Sequence, residues 1–373
     1  MNVRRSFRYF LIVILYSLTC GTIIYQVFYH LAQVLISSTS DDTTTFQCVI
    51  PKLSPDFLKP KYILPPPKCY NISPPLFTID FENRLLRQKV ELPFKCKALK
   101  CFYQQLKRHQ DRPDFEYVDN TTVINIVATV TTLKPDVEHL RVWCNCTNEP
   151  NQGLIYEDYL SAVQINPDIE ESLDEIRMGK ELYSVLIISQ DSSSHMNFLR
   201  TMPRVHDFLI NTLDAIEFHG FNSLGPTTFW SFDPLVTGLD LLEFNNRCYG
   251  NGSYKDSCPF IWKEFEKSGY RTVFDEDQAA SSSLFKYVGA HPFLRQPFHY
   301  DFRVVSRKLE TMQKSSQFCF GSRLSFSVLL ENMLRVAKQF HRKPYWAMFW
   351  ASALSHFENS MSTFAEPSLL YSL

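Results

Sequence analysis

The chain has 373 residues, 45% hydrophobic and 14% aromatic, with a formal net charge of −1. That charge excludes a global electrostatic case for nucleic-acid binding. Thirty-one Phe and 18 Tyr argue against long disorder and can support a sizeable core, so the length allows two domains or one large domain with an anchor.

Arg4, Arg5 and Arg8 precede an uncharged run from Tyr9 to Tyr29. A membrane helix needs about 20 such residues, and flanking positive charge keeps that end in the cytosol. Residues 1–36 therefore read as a cytosolic tip and transmembrane signal anchor. The remainder would be lumenal or extracellular, in a single-pass type II protein of the secretory pathway or cell surface. The rival is a cleaved signal peptide, which fits less well because Tyr25, Phe28 and Tyr29 stand where small residues would be cut.

Export agrees with two further features. Nine cysteines lie beyond the apolar run: Cys48, Cys69, Cys96, Cys101, Cys144, Cys146, Cys248, Cys258 and Cys319. Four N-x-S/T sequons occur, at Asn71, Asn120, Asn145 and Asn251. Together they describe a disulfide-bonded glycoprotein. Cys144 and Cys146 read as halves of two disulfides rather than as a metal site. Nine is odd, so one thiol is free, pairs between chains, or had a partner beyond residue 373.

Residues 37–80 are rich in Pro, Ser and Thr and read as an extended stalk tied by Cys48 and Cys69. Residues 81–180 read as a Cys-containing, β-rich module, with strands expected over Thr121–Thr132, Val142–Cys144 and Ala162–Ile165. From 181 to 373 the pattern is that of an α/β domain. Ser184–Gln190 is a short apolar run of the kind covered on both faces. A helix is expected over Met196–Leu213, a strand over Ala215–Phe221, and a helix after Thr228. Then come a helix at Phe260–Lys267 stopped by Gly269, and a strand at Arg271–Phe274. A helix at Leu324–Phe340 and a buried strand at Tyr345–Ala351 complete the series. Alternating strand and helix predicts a sheet with right-handed crossovers.

Ligands of open α/β sheets gather at the carboxyl ends of the strands. Asp191 follows the first strand, the turn Thr227-Thr228 opens a helix, and Ser355-His356 follows the Tyr345–Ala351 strand. A carboxylate is a hard ligand for a divalent cation, zinc among them, and a bound cation lowers the pKa of a hydroxyl. Thr228 would then be a nucleophile, and a helix N-terminus suits a phosphate or sulfate. Each residue also has a plain reading: the Ser192–Ser194 turn as a helix cap, Thr228 as a turn residue, His356 as a structural or exposed side chain. Order and placement give the set more weight than its members.

These residues carry a resemblance. The chain resembles an animal family of unknown-function proteins within the alkaline phosphatase/sulfatase-like superfamily. The matching segments are Asp191-Ser192-Ser193-Ser194-His195, Phe198, Met202-Pro203, Gly220-Phe221-Asn222, Leu224-Gly225-Pro226-Thr227-Thr228 and Val236-Thr237-Gly238. Phe265, Gly269-Tyr270, Cys319-Phe320-Gly321 and Leu354-Ser355-His356 extend the match. Cys48-Val49-Ile50-Pro51 and Trp143-Cys144 extend it upstream, so that it covers about residues 45–360. The resemblance implies an alkaline-phosphatase-like sheet with flanking helices, incomplete at the C-terminus. It implies metal ligation by Asp191 and Thr228, with Thr228 as nucleophile and His356 and Thr227 at the substrate.

The departures bear on activity. His195 replaces the family's Arg, Thr227 an Asn, and Trp230-Ser231 a Pro-Asn; Phe357 stands where an acidic residue is expected. No Asp-His-Gly occurs, although the superfamily completes its metal site with one. The Cys-x-Pro-x-Arg of formylglycine sulfatases is also missing. The expectation is a domain that resembles metal-dependent phosphate or sulfate ester hydrolases but is inactive as written, without a cofactor. The alternative is an active hydrolase holding a divalent metal. A truncated isoform or incomplete gene product is a third reading. The membrane is the partner implied, through the N-terminal helix, and nucleic acid is not; an inactive domain would bind a surface ligand or protein partner that the sequence does not identify.

Overall fold

Of the apolar runs above, Arg271–Phe274 and Tyr345–Ala351 become the inner strands of a parallel sheet, whereas Ser184–Gln190, expected to be covered on both faces, is an edge strand with no buried residue and with Leu186 39% exposed. The computed structural model describes residues 53–373 except 59–63, 70–74, 81, 90–95, 97–98, 110–111, 119–122, 148–152, 250–254, 281–283, 286–292, 313–316 and 357–358. The run Tyr9–Tyr29, Cys48, Phe357 and the sequons at Asn71, Asn120 and Asn251 lie outside the described residues. Among the described residues no helix is long and apolar enough to cross a membrane.

The N-terminal half is antiparallel. Strands β1 (Phe77–Asp80), β2 (Leu85–Gln88), β3 (Leu99–His109), β4 (Arg112–Val118), β5 (Ile124–Ile126), β6 (Val130–Thr132), β7 (His139–Cys146) and β8 (Leu154–Ser161) form two sheets, ordered β1-β2-β6 and β4-β3-β7-β8, with β5 also on β3. Expected strand Thr121–Thr132 is thus two short strands separated at 127–129, and β7 contains Val142–Cys144. Ala162–Ile165 is not a strand: the ladder ends at Ser161, and Ala162 and Val163 are buried just past it as core plugs. Cys101 faces Cys144 across the β3–β7 ladder and bonds to it, and Cys96 bonds to Cys146. The two cysteines flanking Asn145 therefore serve two bridges. Asn145 itself is half-buried within β7.

The C-terminal half begins with α1 (Pro167–Arg177) and β9 (Val185–Gln190), followed by α2 (His195–Thr201) and α3 (Pro203–Asp207). Helices α4 (Thr228–Thr237), α5 (Leu241–Phe244) and α6 (Ile261–Lys267) lead to β10 (Arg271–Glu276) and β11 (Tyr300–Asp301). Then come α7 (Arg303–Thr311), β12 (Cys319–Phe320), β13 (Arg323–Leu324), α8 (Ser325–Gln339), β14 (Tyr345–Ala351) and α9 (Glu366–Ser372). Four strands form a parallel sheet ordered β11-β10-β14-β9.

Side-chain alternation gives this sheet two dry faces. Ala347, Phe349 and Ala351 of β14 join Val273 and the buried face of α8 (Phe326, Leu329, Met333, Val336). Trp346 and Met348 turn the other way, to Phe274, Trp262, Phe260, Phe232 and Val236. The antiparallel half packs on α7 and α8 through Leu106 and Tyr159, which meet Val304, Val305, Leu309 and Val328.

In the C-terminal half two further expected elements differ. The single helix over Met196–Leu213 is interrupted at Met202, because Pro203 has no N–H to continue it and instead starts a second helix. That helix ends in a π-turn at Phe208–Thr212. Ala215–Phe221 is not a strand. It pairs with nothing in the sheet, and its Ile216, Phe218 and Phe221 are exposed at 76–81%. Its apolar spacing suits a strand, but Asp214 turns the chain at φ 52° and leads it away from β9.

Candidate functional site

The parallel register sets the site. Gln190 of β9 lies beside Ala351 of β14, and Glu276 of β10 beside Trp350. The next residues on these three strands are Asp191, Ser352 and Asp277, all at the carboxyl edge. The Asp191 N–H donates to the Ala351 carbonyl at 2.8 Å, extending the ladder by one bond. The chain then turns sharply, since Ser192 has φ 56°. A non-glycine residue there costs on the order of 1–3 kcal/mol. Ser194 caps α2 by accepting from the Asn197 N–H at 3.1 Å, so the plain capping reading of this turn holds for Ser194.

Asp191 and Thr228 meet although 37 residues separate them. The Thr228 hydroxyl donates to Asp191 Oδ1 at 3.2 Å, and its second carboxylate oxygen lies at 3.5 Å. Thr228 is the first residue of α4. Thr227 is the cap residue of that helix, is exposed, and makes no side-chain cap bond. The turn before it is pinned by Ser231, which takes a hydrogen bond from the Leu224 N–H and contacts the Ser223 hydroxyl, each at 3.1 Å. A Cβ on Gly225 would lie 2.5 Å from the Trp230 ring, so glycine is required where that ring closes on the turn. The Trp230-Ser231 pair thus has a structural use in this chain.

Ser352 completes the set, and sequence reading passed over it. Its hydroxyl donates to Asp191 Oδ2 at 3.3 Å, while its N–H donates to Asp277 Oδ1 at 2.8 Å. Asp277 also accepts from the Ala353 N–H and the Ser325 hydroxyl. Burial pushes its carboxyl up to about 7, against the pull of those donors. The only signal in the sequence was the acidic end of the β10 segment, Asp275-Glu276-Asp277.

His356 is exposed; its N–H donates to the Ser352 carbonyl at 2.9 Å. The neighbouring Ser355 is buried, and its hydroxyl makes no hydrogen bond. Among the described residues Asp191 belongs to no group of three or more His, Cys, Asp or Glu side chains within metal-ligand reach. Its close partners are the hydroxyls of Ser192, Thr228 and Ser352. One carboxylate and neutral hydroxyls fall short of the donor set a divalent cation requires, so the described residues do not fit a bound metal at this position.

The fold and this edge define a mixed α/β protein with several sheets, four disulfides among the described residues and a carboxylate–hydroxyl cluster at the carboxyl ends of its parallel strands. The chain belongs to the family described as "Protein of unknown function (DUF229)", whose profile matches residues 68–373. No curated protein and no solved structure matches it.

Proposed function

We propose that this chain is a membrane-anchored, lumenal or extracellular relative of the alkaline phosphatase/sulfatase-like hydrolases whose residues 1–373 bind an ester or partner without turning it over. The observation that carries the reading is the Thr228 hydroxyl on the Asp191 carboxylate, at the carboxyl edge of a parallel sheet. That is the place and the pair with which a phosphate or sulfate ester hydrolase would begin. The hydroxyl-only surroundings of Asp191 support binding over turnover, because an alkoxide held by one carboxylate is poorly activated. Four disulfides support an oxidising compartment.

A second reading, an active divalent-metal hydrolase, is favoured by one feature. Ser352 bridges Asp191 to Asp277 and so brings a second carboxylate to the same edge. The test is turnover of p-nitrophenyl phosphate, its diester and p-nitrocatechol sulfate by the full-length protein, with zinc, magnesium or a chelator. The binding reading expects no turnover in any condition. Chelator-sensitive turnover that disappears in Thr228→Ala would overturn it in favour of the hydrolase.

A further inference from the structure

A second cluster lies away from the hydroxyls around Asp191. His195 is the first residue of α2, and His206 is the next-to-last residue of α3. After the π-turn the chain reverses at Asp214 and carries Glu217 back to both. Glu217 Oε1 lies 2.5 Å from His195 Nε2 and 3.6 Å from His206 Nε2, while its Oε2 lies 3.6 Å from His219 Nε2. The His195 and His219 rings stand edge to face, with centroids 6.3 Å apart. The ligand atoms of His195, His206 and Glu217 all lie within 4.8 Å of one another.

One buried atom in this group, His206 Nε2, has no hydrogen bond, its nearest acceptor being Glu217 Oε1 at 3.6 Å, although the ring packs against Phe198. Leaving a buried imidazole nitrogen unpaired is costly, and native proteins rarely do so. Here it faces the carboxylate that two other imidazoles already approach. Three imidazoles around one carboxylate form a poor ion pair, since full protonation would crowd three positive charges. Neutral imidazoles with one carboxylate form a good nitrogen–oxygen donor set for zinc, copper(II) or nickel, and a poor one for calcium or magnesium.

We infer that His195, His206 and Glu217, with His219 beside them, form a transition-metal site that fastens the segment 215–219 to α2 and α3. Zinc–nitrogen bonds of roughly 2.0–2.1 Å in a tetrahedral shell set ligand atoms about 3.3 Å apart, so spacings that now reach up to 4.8 Å must close by up to about 1.5 Å and the 2.5 Å His195–Glu217 contact must open by about 0.8 Å. The exposed side chains of His195 and His219 have room to make that movement. The segment gains most from such a clamp. It joins no sheet, and its own backbone bonds are few: Ala215 N–H to Leu209 at 2.9 Å and Phe221 N–H to Phe218 at 3.1 Å. It leads into the Ser223–Thr228 turn, so the clamp would also steady the approach to Thr228. The site uses neither Asp191 nor Thr228 and stands whether or not that pair supports turnover.

The test is zinc titration of the full-length, metal-stripped protein in competition with a fluorescent chelator. One zinc per chain is expected. His206→Ala and Glu217→Gln should each weaken it by at least about tenfold, whereas Asp191→Ala should keep it. No zinc binding, or zinc lost in Asp191→Ala and kept in the other two, overturns the inference. Because the variants alter a packed region, a second measurement uses the unmodified chain. Zinc should protect His195, His206 and His219 from diethyl pyrocarbonate, as located by mass spectrometry, and equal modification with and without zinc would also overturn the site.

Discussion

At the scale of single residues, the buried carboxylates behave differently from Asp191. Asp191 is half-buried and satisfied by hydroxyl donors, whereas Asp233 lies inside α4, almost fully buried. Burial pushes the Asp233 carboxyl up to about 7, and the charge of Lys255 only partly opposes this. The linkage has a definite sign. A carboxyl whose folded pKa lies above its unfolded value of 3.8 contributes its full stability below that value. The contribution falls as pH rises and is lost through about 7. Asp233→Asn should therefore leave stability unchanged relative to the native chain near pH 4 and raise it at pH 8. Chemical denaturation at the two pH values measures the difference; an equal effect at both would remove Asp233 from the account. Asp277 is also pushed up to about 7, but it accepts two backbone N–H groups, so an amide there would lose acceptors as well as charge.

At the scale of elements, the strands that were legible were those whose environment repeats along the chain. Ser184–Gln190, Arg271–Phe274 and Tyr345–Ala351 became β9, β10 and β14 within a few residues, although β9 lies at the sheet edge with no buried residue and β10 opens on the buried polar pair Arg271-Thr272. Ala215–Phe221 has similar spacing but no ladder, because strand formation needs a neighbour and a single sequence does not name neighbours. The same limit hid Ser352. Its role comes from lying between Asp191 and Asp277, a juxtaposition created by the β9–β14–β10 register. The Asp191–Thr228 pair was legible because chemistry alone selects those types at a strand end and a helix start. The Glu217 cluster was not, since it depends on a reversal at Asp214 that the strand expectation would have forbidden. Arg271 illustrates the register argument energetically. It opens β10 fully buried and donates to both Glu170 oxygens, at 2.6–3.2 Å, and to Asp174 at 3.3 Å. This holds α1 against the amino end of the sheet, where Lys343 also meets Glu170. Arg271→Met should cost about 3–5 kcal/mol, the usual loss when one partner of a buried pair is removed. Urea unfolding would measure it. A loss below about 1 kcal/mol would mean that Lys343 and water satisfy Glu170 unaided.

At the scale of the whole molecule, the four covalent links among the described residues divide into local and global ones. Cys96–Cys146 and Cys101–Cys144 brace neighbouring parts of one antiparallel sheet, and Cys248–Cys258 closes a span of 10 residues. Cys69–Cys319 joins residues 250 apart, tying the segment before β1 to β12. Cross-link stabilisation grows with the logarithm of the closed loop, because the unfolded chain loses more freedom. The other three bridges lie inside this loop and shorten its free contour, so its effect should stay below the roughly 5 kcal/mol that its length alone would imply. It should still exceed that of the 10-residue span. The comparison is Cys69→Ala with Cys319→Ala against Cys248→Ala with Cys258→Ala. Alanine is the better replacement because Cys248, Cys258 and Cys319 are buried, and a serine hydroxyl there would add its own desolvation cost. Thermal unfolding should show the larger fall in Tm for the first pair. Equal falls would mean that the long bridge removes no more unfolded-state freedom than the 10-residue one, and no fall at all would mean that the N-terminal segment is held by packing alone.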